Sequence, residues 1–295
     1  MINIAYTITN SPWGGGNQFL KSLKIQLEKL NMYSNISDSK CIIFNSHHNV
    51  DLITKIKRDF PEKKFIHRID GPMRLYNDMS DSRDELVYHI NESISDATVF
   101  QSKFSLDNNI SLGMKVPKKF AIIPNFCDPK IFRPKCARTK NKKVRLISAS
   151  FSDNPKKGFG TYEYLDKNLD FSRYEYVFLG RSPTRFKNIQ ELGIRDSAGV
   201  AEELGLSDIY ITASENDPCS NSLIEAQTMG LPTIALNSGG HPEIVNENSE
   251  LFNCHAELIG KINLVSSCMD KYLSKRSVID PIKITNDYLK FALEI

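Results

Sequence analysis

The chain lacks paired cysteines. Its six cysteines, Cys41, Cys127, Cys136, Cys219, Cys254 and Cys268, form no CxxC pair and no His/Cys cluster at zinc spacing, so neither sulfur nor metal chemistry organises this sequence. It also lacks a long apolar run, and none approaches the roughly 20 residues that a bilayer span needs. No signal-peptide pattern opens the chain, and the expectation is reduced thiols in a cytoplasmic protein. Net charge is small, +3 over 295 residues, which argues against a strong polyanion binder. Basic residues do crowd into Lys115–Arg145, where Asp128 is the one acid. Aromatic residues interleave only sparsely there, so no nucleic-acid partner is expected. Peripheral contact with the inner face of a membrane through these basic residues stays open. There is no GxGxxG fingerprint and no DxD-type acid pair, so no dinucleotide site is supported and no metal is expected.

What is present suits an ordinary soluble globular chain: 40% hydrophobic and 25% charged residues. Its length suggests about two domains. Short apolar strands are expected at Ile2–Ile8, Cys41–Asn45, Lys64–His67, Ala97–Gln101 and Phe120–Pro124. An amphipathic helix from Gln18 to Leu30 presents Phe19, Leu23, Leu27 and Leu30 on one face. After the basic segment a second alternation begins. It has strands at Val144–Ser150, Tyr176–Leu179, Ile209–Thr212 and Thr233–Leu236, with helices at Gly158–Leu169 and Asn221–Met229. A last helix is expected at Asp280–Leu293. Strands alternating with helices predict an α/β fold of two Rossmann-like parallel-sheet domains facing a central cleft. The expected division is 1–138, 139–276 and a C-terminal helix within 277–295 that packs back on the first domain.

Ligands of open α/β sheets bind beyond the carboxyl ends of the strands. Several loops fall there. Gly14–Gly16 precede the first helix, where glycine lets the backbone approach a phosphate and the helix terminus favours negative charge; a flexible turn is the plainer reading. Lys156 and Lys157 precede Gly158 between a strand and a helix, so Lys157 is a candidate to neutralise a diphosphate. Arg181, at the end of YVFLG, is a second candidate, although a surface arginine fits as well. His67, Arg68 and Asp70 follow another strand, and a histidine in that place is often structural.

The most informative stretch is Ser214–Gly240, SENDPCSNSLIEAQTMGLPTIALNSGG. A strand delivers Glu215 and Asp217 to its carboxyl end, and Ser220 or Asn221 can cap the helix that follows. The first N–H groups of that helix are then available to an anion. Glu225 lies about one turn in, on the face that carries Ser222. A carboxylate there can serve the helix dipole alone, but it can also accept two hydroxyl donors from a sugar. Gly239 and Gly240 form a further turn in which Pro242 suits a first helical position.

Together these segments resemble a retaining glycosyltransferase of the GT-B fold, family 4. DIYITASENDPCSNSLIEAQTMGLPTIALNSGGHPEIV is similar to that family's donor signature, an acid, seven residues, a glutamate and then a glycine-proline turn. IIPNFCDPKIFRP resembles its inter-domain segment, NPKKGF its lysine-glycine turn and PWGGGNQF its N-terminal glycine loop. The resemblance covers most of the chain, with the four motifs in order. It implies Glu225 on the nucleotide ribose, Asp217 near the donor sugar, Lys157 on the diphosphate, Gly15 and Gly16 as the phosphate loop, and His67 near the transferred sugar. The chain departs from the pattern in three places. Asp217 stands where the family usually has glutamate. The arginine usual before the lysine is absent, with Ser150 and Ser152 in its neighbourhood and Arg181 as the substitute. Phe126 replaces the usual glycine of the inter-domain motif.

The resulting expectation is sugar transfer from a UDP- or GDP-linked donor to a hydroxyl acceptor with retained configuration and no further cofactor. Asp217, Lys157 and His67 are the catalytic candidates. Gly15, Gly16, Lys157, Arg181, Ser220, Asn221, Ser222, Glu225, Gly239 and Gly240 are donor-site candidates, and Arg68 and Asp70 stand on the acceptor side. The alternatives are a sugar-nucleotide epimerase or phosphorylase on the same plan, or a non-catalytic sugar-nucleotide or glycan binder.

Overall fold

The computed structural model describes residues 1–9, 14–134, 143–276 and 279–295. Residues 10–13 of the glycine loop, residues 135–142 of the basic run and the expected boundaries at 138/139 and 276/277 lie wholly or partly outside the described residues. The chain forms two compact units. Of the described residues, one comprises 1–9, Gly15–Phe126 and Asp280–Ile295, and the other comprises Gly14 and Cys127–Ile279.

The first unit contains β1 (Ile2–Ile4), α1 (Gly15–Lys29), β2 (Cys41–Asn45), α2 (Val50–Asp59), β3 (Lys64–Ile69), α3 (Met73–Tyr76), α4 (Arg83–Ile94), β4 (Ala97–Phe100), α5 (Lys103–Ser111) and β5 (Phe120–Ile122). Its strands run parallel in sequential order, β1-β2-β3-β4-β5. All five residues of β2 are buried, as a strand covered on both faces requires. The strand expected at Ile2–Ile8 ends at Ile4, and α1 begins three residues before the expected Gln18, taking Gly15 and Gly16 into its first turn. Phe19, Leu20, Leu23 and Leu27 recur at helical spacing and are buried. The Phe19 ring meets Phe126 at 5.5 Å and Tyr288 at 6.0 Å. The C-terminal helix thereby completes the core of this unit.

The second unit contains β6 (Val144–Ser150), a single 3-10 turn (Pro155–Lys157), α6 (Phe159–Asn168), β7 (Tyr174–Gly180), β8 (Gln190–Gly193), α7 (Ser197–Leu206), β9 (Ile209–Thr212), α8 (Asn221–Thr228), β10 (Thr233–Leu236), α9 (His241–Ile244), β11 (Ser249–Phe252), α10 (His255–Ser267) and α11 (Met269–Ser274). The chain then returns to the first unit as α12 (Pro281–Leu293), whose Asp280 cap accepts from the Ile282 N–H at 2.8 Å. The second sheet is also all parallel, in the order β11-β10-β9-β6-β7-β8. Strand alternation divides its core between two faces. Leu146, Tyr176, Phe178, Ile209 and Ile211 join one cluster, while Ile147, Val177, Leu179 and Tyr210 join the other. Arg145, counted in the basic run, is a structural tie: it is nearly buried and meets Glu175 and Glu203, each at 3.0 Å. Among the described residues no helix is long and apolar enough to cross a membrane.

Candidate functional site

The second sheet reverses its direction of growth between β6 and β9. From β6 the chain adds β7 and β8 on one side, then crosses to add β9, β10 and β11 on the other. Loops leaving such neighbouring strands diverge and open a crevice at their carboxyl ends. Here those loops carry Lys157 and Asp217. Lys157 Nζ donates to Asp217 Oδ2 at 3.1 Å, and both side chains keep part of their surface open. Asp217 Oδ1 accepts from the Cys219 N–H at 3.2 Å. Burial alone would raise the Asp217 carboxyl, but the Lys157 charge, nearby His241 and these hydrogen bonds hold it below the usual range. Lys156 turns to Glu215, at 2.9 Å, so the adjacent lysines have separate partners.

Two glycines make this packing feasible. Gly158 follows the lysines at φ 79°, where a Cβ would lie 2.2 Å from the Ala213 carbonyl oxygen. Gly239 sits at φ 62°, and its Cβ would lie 2.4 Å from the Asp217 carbonyl oxygen. Both combine a left-handed backbone with contact distances that no side chain tolerates. The turn is further tied down by Gly240 N–H donating to Asp217 O at 2.8 Å and Asn216 N–H donating to Ser238 Oγ at 3.1 Å. Pro242 lies in the first turn of α9, as its fixed φ favours.

Ser220 is the N-cap of α8 but makes no side-chain capping bond; its hydroxyl lies 3.3 Å from Ser222 Oγ. Glu225 projects from the same helix. Its carboxyl makes no hydrogen bond or ion pair among the described residues, and protein packed around it raises the group to about 8. A carboxyl in that state lacks partners that a diol can supply. Arg181 follows β7, its N–H donating to Ser150 O at 2.7 Å while its side chain is exposed.

Residues that the sequence reading did not single out also enter the site. His241 is fully buried, with Nδ1 on the Leu236 carbonyl at 2.8 Å and Nε2 without a partner among the described residues. It lies close enough to Asp217 for the two charges to interact. Its place in the GGHPE turn was the available signal.

In the first unit, His67 lies inside the sheet rather than at an open end. Its ring stacks on Phe44 at 4.3 Å, Nε2 donates to Ser46 O at 3.0 Å, and Nδ1 accepts from Asn91 at 3.1 Å. Burial lowers it to about 4, against the Ser46 hydrogen bond and Asp70. Both nitrogens of the neutral ring are used within the protein, where the sequence suggested contact with the transferred sugar. Arg68 is equally buried and pairs with Asp70 at 2.9 Å, with a second bond to Asn125 at 2.7 Å. Asp70 also accepts from Asn45 and Ser46, each at 3.0 Å, and from Gln101. Desolvation would raise its carboxyl, yet the Arg68 charge and these donors hold it ionised. Asn45, Gln101 and Asn125 were legible only as polar residues ending or following apolar strands. Gly16 passes over the network, where a Cβ would stand 3.1 Å from Asn45 Nδ2.

Known proteins share this architecture. A structure of HepE from Anabaena in complex with UDP-glucose superposes with a TM-score of 0.76, covering 100% of this chain and 99% of that one at 13% identity. Sucrose-phosphate synthase from Thermosynechococcus elongatus gives 0.73, covering 99% and 96% at 14% identity. The two parallel-sheet units and these neighbours define the GT-B fold. Residues 172–265 match the family model of glycosyl transferases group 1. A curated relative, an MMP alpha-(1->4)-mannosyltransferase from Mycolicibacterium hassiacum, is 28% identical over 148 residues, which is 45% of this chain and 35% of that protein. The chain thus matches about a third of that relative's length. The segment similar to glycosyl transferases group 1 runs from just before β7 into α10 and contains Asp217 and Glu225.

Proposed function

We propose that the protein is a retaining glycosyltransferase that moves a sugar from a nucleoside diphosphate sugar to a hydroxyl acceptor. The observation that carries this reading is the Lys157–Asp217 pair at the β6/β9 reversal, with Glu225 on the adjoining helix. Glu225 takes the ribose hydroxyls and Asp217 the hydroxyls of the donor sugar, since one carboxylate accepts two donors. Lys157 turns from Asp217 toward the diphosphate and stabilises the charge that develops as it leaves. Ser220, Asn221 and Ser222 at the start of α8, and the turn at Gly239 and Gly240, supply further polar contacts. Gly15 and Gly16 at the start of α1 favour an anion in the same way. Arg181 replaces the missing family arginine.

In the transfer the bond from the anomeric carbon to the phosphate oxygen breaks, and one to the acceptor oxygen forms on the same face. The acceptor proton passes to the departing phosphate oxygen. Asp70, held ionised in the first unit, is the proposed contact for acceptor hydroxyls. The donor is UDP-linked, in keeping with the UDP-glucose complex of HepE. His67 is left out of the catalytic set on the geometry above.

A thermal-shift panel of UDP-, GDP-, ADP- and CMP-sugars tests the donor. A ligand at 100 times its dissociation constant stabilises by roughly 2.7 kcal/mol. Stabilisation by UDP-sugars that Glu225→Ala abolishes is the expected result, and no response to any nucleotide sugar sinks the reading. Transfer, epimerisation and binding without turnover are then separated by proton NMR of the anomeric products.

A further inference from the structure

β5 is an open edge, paired with β4 alone. It nevertheless exposes two large apolar side chains, Phe120 and Ile122, each 42% accessible. They stand two residues apart, on one side of the strand. Val116 just before them is 62% accessible. Leu293, 83% accessible, stands at the end of α12 beside Glu294, whose carbonyl accepts from Lys119 Nζ. An exposed apolar edge of this kind is a hazard unless something covers it.

The charges around the patch say what can cover it. Lys115 and Lys118 are exposed, Lys119 is half-buried, and Lys290 lies exposed one turn before Leu293 on the same side of α12. Glu92 offsets part of this through its 2.6 Å pair with Lys115. A second copy of this edge would bring lysines against lysines, and a three-residue strand offers little ladder to compensate. An anionic lipid surface meets both needs. Its headgroups pair with the lysines, and its interfacial region takes Phe120, Ile122, Val116 and Leu293.

We propose that the β5 edge and the end of α12 form a docking surface for an anionic membrane. The surface shares no residue with the proposed donor set, so its test does not depend on sugar transfer. The full chain is floated with phosphatidylcholine vesicles, with and without phosphatidylglycerol, at low and high salt. Lys118→Glu and Phe120→Ser are compared with the parent after thermal melts confirm folding, and light scattering gives the oligomeric state. The expected result is binding only to the anionic vesicles, lost at high salt, and weakened about fivefold or more by either change. No binding, or binding that ignores both substitutions, overturns the proposal. A dimer that both substitutions dissociate also overturns it, because the occupant is then a second copy. Donor-induced stabilisation is expected to be the same in all three proteins, which keeps failure here distinct from failure of the donor reading.

Discussion

Lys157 Nζ lies 3.1 Å from Asp217 Oδ2, joining the loop after β6 to the loop after β9. The pair has two consequences. It neutralises the lysine, and under the proposed function donor binding is expected to be an exchange in which phosphate competes with Asp217 for Lys157. Lys157→Met leaves a largely buried carboxylate without its cation. The expected loss of stability is about 1–3 kcal/mol, between that of an exposed and a fully buried pair. Turnover with a UDP-sugar is expected to fall about 10²–10³-fold, as when one transition-state donor is removed. Asp217→Asn relaxes the competition for Lys157, so UDP itself is expected to bind at least as well while transfer falls. Calorimetry with UDP and initial rates with the sugar nucleotide check the split.

Gly239→Ala is expected to disturb the donor loop through its backbone packing. The new Cβ would stand 2.4 Å from Asp217 O and 2.7 Å from Asp217 N, and backbone cannot yield as a flexible side chain can. The left-handed φ adds about 1–2 kcal/mol for a residue other than glycine. Gly260→Ala, where a Cβ meets nothing within 4 Å, is the control and gains helix propensity. A lower melting temperature and weaker UDP-sugar binding for the first, with neither for the second, is the expected pattern. Equal behaviour of the two removes the packing argument.

Much of this was legible in the residues. The strands Cys41–Asn45, Val144–Ser150, Ile209–Thr212 and Thr233–Leu236 occur at the expected limits because each is rich in apolar residues and mostly buried. β8 and β11 were missed. They are the outer strands of the second sheet, and QELG and SELF bury little, so no apolar pattern marks them. Of the site, the Lys157–Asp217 bond could not be read, since nothing in sequence spacing states which of two adjacent lysines turns inward. The strand expected to end at His67 continues to Ile69, so His67 is a strand-interior residue. The Asn45–Asp70–Gln101 network joins three strand ends, which only the sheet order brings together.

His67 gives a prediction of stability. Burial lowers its folded pKa to about 4 from an ordinary 6.5. Between those values the unfolded chain binds more protons, so stability rises with pH across that window and is lost as pH falls through it. His67→Gln is expected to flatten this acid limb in chemical denaturation at pH 4, 5, 6 and 7. It is also expected to lower the melting temperature, since the Phe44 stack and one of two hydrogen bonds go. The pH profile of kcat is expected to stay in place at temperatures where the variant is folded. A displaced limb in that profile would return His67 to the chemistry.

Glu225 behaves with the opposite sign. Its folded carboxyl is raised to about 8 from 4.5, with burial as the cause. Between pH 4.5 and 8 the folded protein therefore holds the extra proton, and stability declines as pH rises through that window. Glu225→Gln keeps the shape without the charge and is expected to remove this decline, so that the ligand-free variant outlasts the parent at pH 8. Donor binding changes the balance. Ribose hydroxyls give the ionised carboxylate the donors it lacks, which lowers the folded pKa and drives the proton off. UDP binding at pH 7 is thus expected to release up to one proton. Calorimetry in two buffers of different ionisation enthalpy measures that number directly. Release in the parent and none in Glu225→Gln places the proton on Glu225, whereas equal release in both would assign it to another group and remove Glu225 from the ribose contact.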